Sequence, residues 1–245
     1  MNLNGLLYFI TKKVGKAIWD YKMLREGDKV LIAVSGGKDS LSLLKIMKER
    51  IKFVPIHYQI IACFVDMGFK WVNKDILIEY FKEESIPYII THPSEEWKGE
   101  EEKFGCFWCS WNRRKALFNL AHEIGCTKIA FAHHLDDIVE TMLLNLFFQG
   151  EIGTMKPYQE MFDGELAIIR PLAYVEEKEI LRLATKLDLP VIFSECPYSQ
   201  TSKRKLLKGI LEELKKHNKN VKKNIFRSLQ RVREEYLLDI PDISQ

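Results

Sequence analysis

The chain has 245 residues, with 37 Lys+Arg against 34 Asp+Glu, a net charge of +3 and 47% apolar types. Such a composition buries a core, so general disorder is excluded, and the length suits one large domain or one domain with an appendage. A membrane span is also excluded: the longest stretch without Asp, Glu, Lys or Arg, residues 53–65, holds Pro55, His57 and Gln59 and is shorter than the roughly 18 apolar residues required.

Residues 6–24 read as an amphipathic helix, with Leu6, Leu7, Ile10, Val14, Ala17, Ile18 and Tyr21 at helical spacing. The apolar patch at 5–10 is short and Lys12 and Lys13 follow it, which is not the order of a secretory signal. The protein is therefore expected in the cytoplasm. The apolar residues near Leu6 and Tyr8 suit either the core or a homodimer surface.

Residues 30–34 (VLIAV) form a continuous apolar run, as expected for a strand buried on both faces. The loop Ser35-Gly36-Gly37-Lys38-Asp39-Ser40 follows, then a helix over 41–48. Further strands are expected at 58–65, 88–91, 128–132, 167–169 and 191–193, with helices near 73–84, 110–124, 138–148 and 176–187. This alternation predicts an α/β fold with a mainly parallel sheet. Ligands of such sheets bind at the carboxyl ends of strands, where the loops at 35–40, 66–68 and 133–137 fall. The expected organisation is an N-terminal helix (1–26), an α/β domain (27–202) and a basic helical region (203–245).

The glycines of the 35–40 loop let backbone N–H groups approach an anion at a helix start. Lys38 can neutralise phosphate charge, and Ser35 and Ser40 can donate hydrogen bonds. A Walker motif is absent, because Ile32 and Asp39 stand where it needs Gly and Ser/Thr, and no GxGxxG occurs. SGGKDS after a hydrophobic strand instead resembles the PP-loop of the ATP pyrophosphatase superfamily. That resemblance implies a Rossmann-like fold and cleavage of ATP to AMP and pyrophosphate.

There are five cysteines, Cys63, Cys106, Cys109, Cys126 and Cys196. The odd count favours metal or thiol chemistry over a disulfide scaffold. Cys106 and Cys109 form a CxxC pair, which suits a metal, a cluster or a redox disulfide. A Cys₄ zinc site would need a second pair, which the sequence lacks. Cys196 is the natural third ligand, and three ligands fit a [4Fe–4S] cluster with one iron open. Cys63 and Cys126 read as buried small hydrophobes.

SGGKDS, CFWCSWNRR, AHHLDDIVETMLLNLFFQG, IIRPLAYVEEKEI and the late Cys196 together resemble the TtcA/TtuA group of tRNA thiolases, more nearly its 2-thiocytidine branch. The similarity covers roughly residues 10–200. It implies ATP held by Ala33, Ser35, Gly36, Gly37, Lys38, Asp39, Ser40, Phe64, Asp66 and Ala132, and a [4Fe–4S] cluster held by Cys106, Cys109 and Cys196. Lys38, Arg113 and Asp137 are the implied catalytic residues; Arg113 and Asp137 match positions facing the nucleotide or target base. Relatives making 2-thiouridine place a lysine at the Arg113 position and carry flanking zinc ribbons, which this chain lacks.

The implied reaction adenylates the O2 of a tRNA cytidine, and sulfide then displaces AMP. The partners are tRNA and a sulfur donor, either sulfide or a persulfide carrier. Mg²⁺ would neutralise the phosphates, with Asp39, Asp136 or Asp137 as its carboxylates. His133 and His134 are candidates for acid–base groups or for buried, hydrogen-bonded histidines. Other readings are a 2-thiouridine synthetase, an amine ligase of the tRNA lysidine synthetase type, a thiolase of a free metabolite, and a non-catalytic RNA-binding protein.

From 203 to 233 the chain carries twelve Lys/Arg against two acids, Glu212 and Glu213. This suits an RNA phosphate surface, although a charge run also serves as a solvated helix face. Trp97, Trp108 and Trp111 lie near the Cys pair and suit base stacking or core packing.

Overall fold

The computed structural model describes residues 3–69, 72–93, 106–192 and 203–237. In chain order the elements are α1 (Leu3–Asp20), β1 (Lys29–Ala33), α2 (Lys38–Arg50), β2 (Gln59–Val65), α3 (Asp75–Glu83), β3 (Tyr88–Thr91), α4 (Cys106–Glu123), β4 (Lys128–Ala130), α5 (Leu135–Phe148), β5 (Tyr158–Met161), β6 (Leu166–Ile169), α6 (Glu177–Lys186), α7 (Lys203–His217) and α8 (Val221–Ser228). The six strands form one sheet in the order β3-β2-β1-β4-β6-β5. All pairs are parallel except the β5–β6 pair.

The sheet is buried on both faces, and the alternation of its side chains assigns each residue to a layer. Val30 and Ile32 of β1 and Ile60, Ala62 and Phe64 of β2 face a core with α1, α2, α3 and α6, including Ile10, Val14, Leu41, Leu44, Phe81 and Ile180. Leu31, Cys63, Val65 and Ile129 face the opposite layer, where Ala116, Leu117, Leu120 and Ala121 of α4 pack. α6 starts from a reciprocal capping box, Glu176 with Glu179, which fixes where its first turn lies.

Several elements differ from the sequence expectation, α5 among them: it begins at Leu135, so Asp136 and Asp137 lie in its first turn rather than in a loop. α2 begins at Lys38, so Lys38, Asp39 and Ser40 are its first turn rather than loop. α4 begins at Cys106, so the CxxC pair is helical. β5 was unforeseen; the tight reversal at Phe162–Gly164 folds a polar, half-exposed segment back along β6. The strand expected at 191–193 is not in the sheet. Val191 and Ile192 are without strand structure, and the Ile192 N–H donates to the Gly36 carbonyl at 2.9 Å instead. Phe193 lies outside the described residues.

The chain divides into two compact units, Met1–Asp137 with Lys156–Ser202, and Ile138–Met155 with Lys203–Gln245. The first holds the sheet. In the second, Leu207, Leu211 and Phe226 are buried, and the buried Glu140 carboxylate accepts from Arg204 at 3.4 Å. Among the described residues, no helix is long and apolar enough to cross a membrane.

Candidate active site

The sheet order reverses between β1 and β4, and the loops leaving their carboxyl ends diverge there to open a crevice. Leaving β1, Val34 still bonds the Cys63 carbonyl at 2.8 Å. Gly36 then turns the chain at φ +83°, a conformation that favours glycine. Gly37 is the N-cap of α2 and supplies no side-chain cap, so the first N–H groups of α2 suit an anion. The loop is braced from within. The Ser35 N–H donates to Ser40 Oγ at 3.1 Å, and Ser40 Oγ donates to the Gly37 carbonyl at 2.9 Å. Ser40 is buried while Ser35 is exposed, so Ser40 shapes the loop and Ser35 faces out.

A charged cluster surrounds this loop. Lys38 Nζ lies 3.0 Å from Asp39 Oδ2 and 3.1 Å from Glu177 Oε1. Burial opposes its charge, but the two carboxylates outweigh that and raise the ammonium's pKa above its ordinary value. Asp39 Oδ1 is buried without a hydrogen-bond partner, with His134 Nε2 3.9 Å away. Asp136 accepts the Glu177 backbone N–H at 2.8 Å. Asp137 caps its own helix, accepting the His134 N–H at 2.9 Å while its N–H reaches His134 Nδ1 at 3.4 Å. An orphaned carboxylate oxygen beside an anion-binding helix start is a place a hard cation fits.

His133 and His134 are both at the end of β4 but differ in setting. His133 stacks on Phe131, with ring centroids 5.7 Å apart, and accepts from Arg170 Nε at 3.3 Å. Burial, helped by Arg170, lowers its pKa to about 4, so it is neutral at pH 7. Arg170 is anchored by a bond to the Lys156 carbonyl, and burial pulls its own pKa down to about 10. His134 is buried among Asp39, Asp136 and Asp137.

Cys106 and Cys109 occupy the first turn of α4, three residues apart and so on one side of the helix. Arg113, one turn on, directs Nη2 at Cys109 Sγ at 3.8 Å, and its Nε is buried without a partner. A guanidinium beside a thiol favours the thiolate, the metal-binding form. Arg113, expected to face the nucleotide or target base, lies beside the cysteine. Cys196 and Trp97 lie outside the described residues. Among the described residues no cluster of three metal-ligating side chains forms. Cys63 and Cys126 are buried, and burial pushes the Cys63 thiol up to about 12.

The other expected ATP residues lie at neighbouring strand ends. Asp66 follows β2, receives the Gly68 N–H at 2.9 Å and Lys74 at 2.6 Å; burial opposes its charge, yet these donors hold its carboxyl below the ordinary range. Phe64 packs in the core, which leaves only its backbone for a ligand. Ala33 and Ala132 are half-buried. Sequence reasoning missed Glu177 and Ile192. The only local signal for Glu177 is an acid in the first turn of a capped helix.

In the second unit, five of the twelve tail cations have acidic partners. Arg204 and Lys208 meet Glu140, Lys215 and Lys222 meet Glu212, and Lys216 meets Glu213. Lys203 covers the Phe148 ring at 4.4 Å.

Residues 9–214 match the PP-loop domain family. The chain is 38% identical to the tRNA-cytidine(32) 2-sulfurtransferase of Geobacter sulfurreducens, over 94% of this chain and 92% of the relative. It is 38% identical to the protein of the same name in Deinococcus radiodurans, over 96% and 80%. The U34-tRNA thiolase NcsA of Methanococcus maripaludis, solved with its [4Fe-4S] cluster, superposes with a TM-score of 0.80 at 27% identity, over 96% of this chain and 81% of that one.

Proposed function

We propose, from the premise that the chain belongs to the PP-loop family and within it to the TtcA group of tRNA sulfurtransferases, that it converts cytidine 32 of tRNA to 2-thiocytidine at the expense of ATP. The observation that carries this reading is the pairing, in one chain 38% identical to a tRNA-cytidine(32) 2-sulfurtransferase, of an anion-binding PP-loop with a helical CxxC whose sulfur faces an arginine.

The chain's own groups divide the work. The N–H groups at the start of α2 and the Lys38 ammonium hold the ATP phosphates, with Ala33, the Phe64 backbone, Asp66 and Ala132 around the nucleotide. The base O2 attacks the α-phosphorus and pyrophosphate leaves. Sulfide, free or from a persulfide carrier, then adds to C2, and the C2–O2 bond breaks as AMP departs. Arg113 neutralises charge beside the cysteines, and Asp137 would face the nucleotide or target base. His133 stays neutral and orients Arg170.

Asp39 and Asp136 would hold Mg²⁺, which offsets the charge of the departing pyrophosphate. Cys106, Cys109 and Cys196 would hold the [4Fe–4S] cluster, which supplies an open iron able to bind sulfide. The described residues fit both groups: an orphaned carboxylate oxygen for the first, and a thiol beside a guanidinium for the second. The basic tail would meet tRNA phosphates, in the cytoplasm. Cytidine is favoured over uridine because the cytidine enzymes reach 38% identity and NcsA 27%.

The test is anaerobic purification, iron and sulfide counts, and thiolation of tRNA with ATP, Mg²⁺ and sulfide. About four irons per chain and 2-thiocytidine among the digested nucleosides support the reading. An iron-free protein that binds ATP but leaves tRNA unthiolated overturns it; modification with an amine donor would then point to a ligase.

A further inference from the structure

Among the described residues, Arg170 is a buried cation without a counterion. It directly follows β6 and is only 5% exposed, yet it forms no ion pair there, and Arg114 of α4 lies close enough to disfavour its charge further. Nε donates to His133 Nδ1 at 3.3 Å and Nη1 to the Lys156 carbonyl. Nη2 has no hydrogen-bond partner among the described residues and is not one of the buried orphaned atoms, so it reaches solvent. Leu166 of β6 packs in the α4 layer. Alternate residues of a strand share a face, so Arg170 turns toward that layer too. His133 meets it there, stacked on Phe131 of the same layer.

A buried charge is costly unless it is paired, and here two guanidiniums converge instead. Arg114 is exposed, forms no ion pair among the described residues, and acts on both Arg170 and His133. The acid that acts on His133 is Asp137, whose carboxylate is held by the His134 N–H at 2.9 Å. An anion from outside the chain is what this arrangement lacks. β6 stands two strands from β1, about 10 Å at the usual strand spacing, so the place is separate from the phosphate loop. It lies on the α4 side of the sheet, where Cys109 also packs. ATP and RNA are both anionic only through phosphate, and the planar fork of arginine suits phosphate oxygens.

We propose that Arg170 and Arg114 form a second anion site, for a phosphate group, on the α4 side of the crevice; assigning that phosphate to ATP or to tRNA rests on the reading above. His133 holds Nε as a neutral acceptor and the Lys156 carbonyl holds Nη1, which leaves Nη2 to the ligand. The phosphate supplies the countercharge that the described residues withhold, and Arg114 meets it from α4. Two phosphates suit the site: the α-phosphate of the nucleotide, and a backbone phosphate next to the target cytidine.

The experiment compares the full chain as wild type, Arg170→Gln, Arg170→Lys and Arg114→Gln. Thermal melts in inorganic phosphate, against chloride at equal ionic strength, test for the site itself, since the response of the PP-loop is common to all four proteins. Wild type should gain most, Arg170→Lys part of that gain, and the glutamine variants least. Two further probes identify the source. One is AMP, whose single phosphate is the α-phosphate; the other is a tRNA hairpin bearing cytidine 32, intact or with a neutral methylphosphonate on one side of it. Arg170→Gln should bind one of these two ligands about tenfold more weakly, as loss of a charged hydrogen bond does, and Arg114→Gln about threefold, because it is exposed. If the ligand is RNA, one neutral linkage should weaken wild type but not Arg170→Gln; if it is the nucleotide, hairpin affinity stays at the wild-type level. Arg114→Gln changes an exposed residue and settles the point even where Arg170→Gln fails to fold. Variants that match wild type with phosphate, AMP and hairpin overturn the site and leave Arg170 a structural cation. Wild type that neither binds nor thiolates the hairpin, with the phosphate response intact, overturns the tRNA reading and leaves the site standing.

Discussion

Glu177 holds Lys38 at 3.1 Å with its carboxylate, while its backbone N–H donates to Asp136 at 2.8 Å. One residue at the start of α6 thus touches both the phosphate-binding lysine and a candidate metal carboxylate. The carboxylate competes with ATP phosphates for Lys38, so Glu177→Ala should lower the KM for ATP about threefold, the scale of a partly exposed ion pair. Proline is tolerated at the first helical position, and Glu176 at φ −80°, ψ 146° already has the extended backbone that must precede it. Glu177→Pro therefore also removes the N–H from Asp136, and should cost a further tenfold or so in kcat, as loss of a hydrogen bond to a charged group does. ATP titrations of both variants test this. Equal kinetics for the two would show that the N–H to Asp136 contributes nothing.

Gly36 and Gly27 both have positive φ, +83° and +80°, but different surroundings. A Cβ on Gly36 would lie 3.2 Å from Ile192, whereas one on Gly27 meets nothing within 4 Å. Each alanine substitution carries a backbone cost of about 1–2 kcal/mol, or roughly 2–8 °C in Tm for a chain of this size. Gly36→Ala should fall further and also weaken ATP binding, because Ile192 is held to the loop by its N–H. Thermal melts with and without ATP give the comparison; equal losses at the two sites would mean that Ile192 moves aside freely.

His133 provides a pH dependence whose sign is fixed. Its pKa falls from an ordinary 6.5 to about 4 because burial, and then Arg170, disfavour the charged ring. Below pH 6.5 the unfolded chain takes up a proton that the folded one refuses. Stability present above pH 6.5 is thus lost as the pH falls toward 4. In His133→Gln, whose amide oxygen can still accept from Arg170, this acid limb should be shallower, by a difference on the order of 2–3 kcal/mol between pH 7 and 4. Urea unfolding at a series of pH values measures it. Parallel curves for wild type and variant would place the acid sensitivity elsewhere.

How much of this was legible in the sequence depends on the range of the cause. The apolar run of β1 and the SGGKDS loop carry their signals locally, and both lie where expected. β5 has no apolar alternation, since its Tyr-Gln-Glu-Met is half-exposed; it is a strand because the turn after it returns the chain to β6. Glu177 reaches Lys38 across 139 residues, and no local pattern encodes that. Trp108 and Trp111 were ambiguous because neither spacing nor composition tells which side of α4 faces the sheet. Burial of Leu117 and Leu120 settles it by placing the indoles outside. Leu6 and Tyr8 divide likewise, one buried at 4% and the other 70% exposed.

The paired and unpaired cations of the tail should contribute unequally to RNA binding. Lys215, Lys216 and Lys222 have glutamate partners. Lys205, Lys219, Lys223 and Arg227 are exposed and, among the described residues, form no ion pair. A cation already neutralised by a carboxylate releases fewer counterions when it meets a phosphate. Neutralising each unpaired residue should reduce the slope of log K against log salt by about 0.7–0.9 if it contacts a phosphate. Neutralising each paired residue should change it less. Filter binding of tRNA across a salt series distinguishes the sets; identical slopes in all variants would mean that the tail is a solvated face.

The cysteines allow the sharpest separation of structural from chemical roles. Cys63 lies in β2 among Val65, Leu117 and Ile129, and Cys126 joins the same layer. Burial raises both thiols above their ordinary pKa, Cys63 to about 12, so neither supplies a thiolate near neutral pH. The Cys63→Ala, Cys126→Ala double variant should keep full iron content and turnover, at a stability cost of about 1 kcal/mol per site. Cys109 is half-buried, with the Arg113 guanidinium 3.8 Å from its sulfur. Cys109→Ser should lose the iron and the thiolation together while keeping ATP binding, because the PP-loop and α2 are built without it. Iron analysis, tRNA thiolation and ATP titration of the two proteins, prepared side by side without oxygen, decide the point. Loss of iron from the double alanine variant would move the ligand set into the core, and retention in Cys109→Ser would remove the CxxC from it.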